Sequence, residues 1–122
     1  MELAPSVVVA LPEWPDAKTE FLDGSERTVV RVGPAWVGRG TYLPGWRWSM
    51  HVQPMHATES EAHAGYVLSG RLAVRGRDGI EVTVEPGQAF FAASGHDAWV
   101  VGGDPCVALD FPIASTLGTG SD

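Results

Sequence analysis

Residues 65–111 read GYVLSGRLAVRGRDGIEVTVEPGQAFFAASGHDAWVVGGDPCVALDF. Short apolar runs rich in Val, Leu, Phe and Ala are cut by Gly- and Pro-containing breaks about every ten residues, the pattern of successive β-strands and tight turns. Arg77-Asp78-Gly79 predicts a hairpin, because Gly79 can adopt φ > 0. Pro86-Gly87 predicts a second tight turn, and Pro44-Gly45 upstream a third. Working outward, strands are expected over 27–32, 35–42, 46–53, 65–69, 71–75, 80–84, 89–92, 98–101 and 106–111. No segment shows a sustained period of 3.6 residues. Nine short strands without a long helix point to an all-β, antiparallel sandwich or barrel. With 122 residues, the chain is read as a single domain spanning 1–122, with its core in roughly 27–111. The two ends, 1–5 and 115–122, are expected to fray.

Composition narrows the function classes. The chain has 8 Lys and Arg against 15 Asp and Glu, for a net charge of −7. Such an excess of acid argues against nucleic acid or an anionic membrane as partner, since both are bound through basic patches. The apolar run from Val7 to Leu11 is too short for a signal peptide or a membrane span, so a cytoplasmic protein is expected. A lone Cys106 cannot form an internal disulfide and, among Val107, Ala108 and Leu109, reads as a buried structural thiol. No phosphate-binding glycine loop, serine nucleophile elbow or Cys-x-x-Cys pair is present.

The four histidines fall in two windows. His51, His56 and His63 lie between Pro44 and Gly70, and His96 lies between Pro86 and Trp99. Neutral imidazole is the commonest ligand for zinc, iron, copper and nickel, so this clustering nominates His51, His63, His96 and His56 as metal ligands. Read as a strand, 46–53 alternates: Trp46, Trp48 and Met50 share one face, and Arg47, Ser49, His51 and Gln53 share the other. The polar face then lines a wet cavity or faces solvent. Arg47, Gln53, Tyr66, Trp99 and Asp110 are the candidate pocket residues. Asp110 has the strand parity of Cys106 and Ala108, which would turn it inward. Asp97 is expected to cap its turn by accepting a backbone N–H. Glu59 and Glu61 lie in a loop, as solvated charges or as groups that orient a ligand.

Several of these phrases resemble the cupins, which are small jelly-roll β-barrels. Pro44-Gly45, a histidine six positions after that Gly, GYVLSGR, the hairpin turn and EPGQAFFAASGHDAWVVG carry the resemblance, over about residues 40–111. The family's motifs have the forms G-x5-H-x-H-x3–4-E-x6-G and P-G-x5-P-x-G-x2-H-x3-N. In this chain His51 takes the first histidine position, Gln53 the second, and His63 the glutamate position. Pro86, Gly87 and Gly95 match the second motif. Ala93 replaces its proline and Ala98 its histidine, with His96 two residues earlier. The resemblance implies a barrel that binds a small molecule near a divalent ion (Fe, Zn, Mn, Ni or Cu), while the substitutions imply an altered ligand set.

Three functions follow as expectations. One is a metal-dependent enzyme of oxygenase, isomerase or cyclase type acting on a small organic substrate. The second is a metal-free ligand-binding cupin, and the third an accessory protein with a vestigial site. The resemblance also implies a homodimer, with the Trp46–Met50 face as a candidate interface and an exchanged N-terminal strand.

Overall fold

The structure is a computed structural model that describes residues 6–11, 15–56 and 58–113. The two ends expected to fray lie outside the described residues. Among the described residues there are nine strands: β1 Ala17–Glu20, β2 Glu26–Val32, β3 Ala35–Tyr42, β4 His63–Ser69, β5 Leu72–Arg75, β6 Glu81–Val84, β7 Ala89–Ala92, β8 Asp97–Val100 and β9 Cys106–Pro112. They form two antiparallel sheets, a six-stranded one in the order β1-β2-β3-β9-β4-β7 and a three-stranded one in the order β6-β5-β8. The expected all-β jelly-roll class is therefore observed, as two facing sheets that do not close into a continuous barrel.

Turn chemistry places the strands. Trp46 donates its N–H to the Leu43 carbonyl at 3.0 Å, and Gln88 donates to Glu85 at 3.1 Å. Each four-residue turn has Pro second and Gly third, with φ of +89° at Gly45 and +86° at Gly87. Proline presets the first central residue and only glycine takes the positive φ cheaply, the signature of a type II turn. The Arg77-Asp78-Gly79 hairpin forms between β5 and β6, with Gly76 donating to Ile80 at 2.8 Å.

The inward faces meet in one core. Val67 and Cys106 are fully buried, and Phe21, Trp46, Val52, Leu72, Val74, Val84, Ala92, Val100 and Ala108 pack around them. Burying each large side chain contributes roughly 1.5–3 kcal/mol. Cys106 is buried as expected, and its burial pushes the thiol up to about 11, so it stays protonated near neutral pH. Ser25, also fully buried, donates to Asp23 at 2.9 Å and accepts the Leu43 N–H at 2.8 Å, tying the β1–β2 turn to the end of β3.

Two expectations about elements need correction. Strand β1 was not foreseen; it pairs Ala17 with Val29 through Glu20 with Glu26 at the sheet's edge. The segment 46–53 is not a strand. Arg47 makes one bridge to Trp99, and the chain then coils into two short helices, α1 Trp48–His51 and α2 Gln53–His56. The cause is a distant cap. Asp97 on β8 accepts the Ser49 N–H at 3.0 Å and the Ser49 hydroxyl at 2.8 Å, and holds Arg47 Nε at 2.9 Å. Those bonds satisfy donors at the first turn that would otherwise be orphaned. Trp46 consequently turns into the core at 4% exposure while Met50 lies at 60%, so the two do not share a face. The expected tryptophan-rich outer face does not exist.

Candidate functional site

A cavity of about 360 Å³ opens between the sheets, roofed by the loop over 58–62. Its floor is the inner face of the six-stranded sheet, and glycine is what makes room there. Strand β3 carries Gly38, Gly40 and Tyr42 at inward positions. A side chain at Gly38 would collide with both Arg27 and Asp110, one at Gly40 with the Tyr42 ring, and one on β4 at Gly65 with the Phe90 ring. Because Gly38 and Gly40 are bare, Arg27 on β2 reaches across β3 to Asp110 on β9. The register sets Arg27 opposite Gly40 and Gly38 opposite Asp110. Arg27 Nε and Nη2 donate to the two carboxylate oxygens at 2.8 and 2.5 Å, a bidentate pair.

The walls are aromatic. Phe21, Tyr42, Trp46, Trp48 and Phe90 border the cavity, and the Tyr42 and Trp46 ring centroids lie 4.3 Å apart. Burial, and then the Asp110 charge, pushes the Tyr42 hydroxyl far above its ordinary 10, so it remains a protonated donor. The Trp46 Nε1–H is buried without a partner among the described residues.

His63, His96 and His56 also border the cavity. The His63 and His96 rings lie 5.1 Å apart, and His63 meets Phe90 edge-on at 5.7 Å. His96 is 5% exposed. Its Nδ1 lies 2.8 Å from the Ala93 carbonyl, which can only accept, so Nδ1 carries the proton. The Ser60 hydroxyl donates to the His96 carbonyl at 2.6 Å, and the Gly95 N–H donates to the Ser60 carbonyl at 2.9 Å. These bonds stitch the roof loop to the 93–96 turn. Burial, and a smaller repulsion from His63, hold the His96 imidazole below its ordinary 6.5 against the opposing pull of the Ala93 carbonyl and Asp97. At the loop, Glu59 pairs with Arg77, both well exposed.

Of the nominated residues, the cavity brings together His56, His63, His96 and Asp110. It does not bring in His51, Gln53, Arg47, Trp99 or Tyr66. His51 sits in α1, where its Nδ1 accepts the Arg47 N–H at 3.0 Å. Gln53 begins α2; its cavity assignment depended on a strand parity that the helix removes. Arg47 lies 4.2 Å over the Trp99 ring and binds Asp97, a packing cluster away from the cavity. Tyr66 points out of β4, opposite in parity to buried Gly65 and Val67. Arg27 and Tyr42 went unrecognised as a pair. The signal was Gly38-x-Gly40-x-Tyr42, two same-face glycines in a strand, which mark a close approach of neighbouring side chains.

The donor set does not suit a resident metal. Among the described residues no group of three His, Cys, Asp or Glu converges as a metal site would require. His96 donates Nδ1–H to Ala93, which leaves its Nε2 as the one ring nitrogen able to coordinate, while Asp110 is engaged by Arg27 through both oxygens and Ala98 occupies the usual histidine position with a methyl group. His63 and His96 approach one another as a two-imidazole pair, and His56, though it borders the same cavity, does not converge on them as a third ligand among the described residues. The set falls short of the three protein ligands typical of a catalytic zinc.

A family model described as a cupin domain matches residues 47–112, more than half of the chain. The chain belongs to the cupin family. No curated protein matches it. Among solved structures, KdgF from Halomonas sp. shares 20% identity, with a TM-score of 0.60 over 93% of this chain and 99% of that one. A protein of unknown function from Acinetobacter sp. shares 11% identity, with a TM-score of 0.63 over 90% of this chain and 98% of that one. A double-stranded β-helix protein from Klebsiella pneumoniae shares 19% identity, with a TM-score of 0.52 over 75% of each chain. At these identities the likeness speaks to the fold. Among the described residues no helix is long and apolar enough to cross a membrane.

Proposed function

We propose that this cupin is a metal-independent small-molecule-binding protein whose ligand occupies the cavity over Arg27 and Asp110. The observation that carries this reading is the cavity floor itself: Gly38, Gly40 and Gly65 let the side chains of Arg27, Asp110, Tyr42 and Phe90 lie close over the sheet, and those side chains border the open volume. A volume of about 360 Å³ lies within the roughly 300–1,000 Å³ range of ligand pockets, and the mix of aromatic walls with a few polar groups fits that class. Fold membership alone would not decide the matter, since one fold hosts many activities. The reading keeps the chain as one domain and places it in the cytoplasm.

Homodimerisation also belongs to this reading, through a different face from the tryptophan-rich one. Tyr66, Leu68, Phe91 and Phe111 project from the outer side of β4, β7 and β9 at 37–64% exposure. Ala64 pairs with both Phe91 and Phe111, leaving a slot between the two rings. Exposed apolar surface of this kind is commonly an interaction site.

A fragment screen by thermal shift tests the binding reading. A ligand that binds only the folded state raises the melting temperature by mass action. Some small organic molecules should stabilise the protein, and addition of EDTA should leave both melting and binding unchanged. A protein that no fragment stabilises, or one whose melting temperature collapses with EDTA, contradicts the proposal.

A further inference from the structure

We infer that the cavity is built for a small organic acid with a flat, unsaturated body, its carboxylate held by the guanidinium of Arg27 and the hydroxyl of Tyr42. This inference rests on the binding-cavity reading and names the ligand class for it.

The polar inventory of the floor is one-sided. Arg27 carries five N–H donors in a planar fork, and Asp110 engages only its Nε and Nη2. Asp110 is the sole hydrogen-bond partner found for the guanidinium among the described residues. Arg27 borders the open volume, and its remaining donors have no partner among the described residues. Tyr42, which borders the same volume, keeps its proton, and its hydroxyl is held by no hydrogen bond among the described residues. On the acceptor side, the Asp110 charge is already balanced by the bidentate Arg27 pair, and Glu61, the other unpaired carboxylate of the lining among the described residues, lies on the exposed roof loop. A ligand entering this floor therefore meets donors in excess, and it must supply oxygens. Arginine's fork matches a carboxylate in geometry and charge.

The body of the ligand follows from the walls. Phe21, Trp46, Trp48 and Phe90 present ring surface to the cavity, which favours a planar partner by stacking. The same rings would suit an organic cation, but a cation on this floor would sit beside the Arg27 guanidinium, while Glu61, a further carboxylate at the cavity, lies on the exposed roof loop. Strand register sets His63 opposite Pro112, one pleat along β9 from Asp110. The imidazoles therefore lie further along the cavity than the carboxylate anchor.

Isothermal titration of the full chain with benzoate, benzamide and benzylamine tests the assignment, because the three share a ring and differ in the head group. Benzoate should bind, benzamide should bind at least about tenfold more weakly, and benzylamine should give no heat, because the amide and the amine lack the charge-assisted contact that the carboxylate makes. Tyr42→Phe should weaken benzoate about tenfold or more, because a hydroxyl bonded to a carboxylate is a charge-assisted contact. Arg27→Lys should weaken it further, and Tyr42→Phe supplies the answer if that variant does not fold. Benzoate should also shift the Trp46 indole N–H resonance. Binding of benzamide or benzylamine as tightly as benzoate overturns the carboxylate assignment and leaves the binding cavity intact. Unchanged benzoate affinity in Tyr42→Phe and in folded Arg27→Lys does the same. If none of the three binds, the acid assignment falls, and the binding-cavity reading is judged separately by the fragment screen.

Discussion

His96 joins the cavity wall to the roof loop, and its environment makes that junction sensitive to pH. Burial holds its imidazole below the ordinary 6.5, so near that pH the unfolded chain binds more protons than the folded one. Its contribution to stability is complete above pH 6.5 and is lost as the pH falls from there through the depressed value. The melting temperature should therefore drop between about pH 7 and about pH 5, and His96→Gln should show a smaller drop. An equal drop in both proteins would remove His96 as the cause. At this scale the sequence was partly legible. His63, His96 and Asp110 were found from motif spacing and strand parity, and Cys106 from its apolar neighbours. Arg27 was not, because its role depends on Asp110 reaching it from 83 residues away.

The two short helices show what alternation along a chain cannot reveal. Trp46 to Gln53 alternates apolar and polar residues as a strand would, yet Asp97 caps the segment into α1 from β8. A competing tertiary bond decided the local structure, and His51 and Gln53 left the cavity with it. Asp97 is held below its ordinary range: burial opposes this, but hydrogen bonds from Ser49, Arg47 and Ala98 outweigh it. Asp97→Ala should destabilise the fold by about 2 kcal/mol, combining a lost helix cap with lost charge-assisted bonds, as measured by urea denaturation. A change under about 0.5 kcal/mol, typical of an ordinary surface substitution, would show that the cap does not hold α1 in place. The strands themselves were legible because their turns are chemically explicit: Pro-Gly twice and Asp-Gly once. Strand β1 was missed because all four of its residues are exposed, leaving no alternation to detect.

For the whole molecule, the outer slot around Ala64 predicts pairing of two copies across β4, β7 and β9. Light scattering after size exclusion should give twice the monomer mass, and Phe91→Asp, at a position 64% exposed, should halve it without unfolding the protein. A wild-type monomer at about 100 µM would remove this interface, since stable dimers typically bind more tightly than that. Fold class was legible at this scale because it needed only strand count, turn spacing and a family resemblance. The ligand set was not, because His51 is carried into α1, away from the cavity that His56, His63 and His96 border.

The central claim is that this cavity serves an organic ligand and holds no resident metal. Elemental analysis by plasma mass spectrometry, on protein purified without a histidine tag from metal-supplemented medium, tests it directly. The account predicts iron, zinc, nickel, copper and manganese each far below one equivalent, unchanged in His63→Ala. One equivalent of any of these ions, lost in His63→Ala, would contradict it and return the imidazoles to the role of metal ligands.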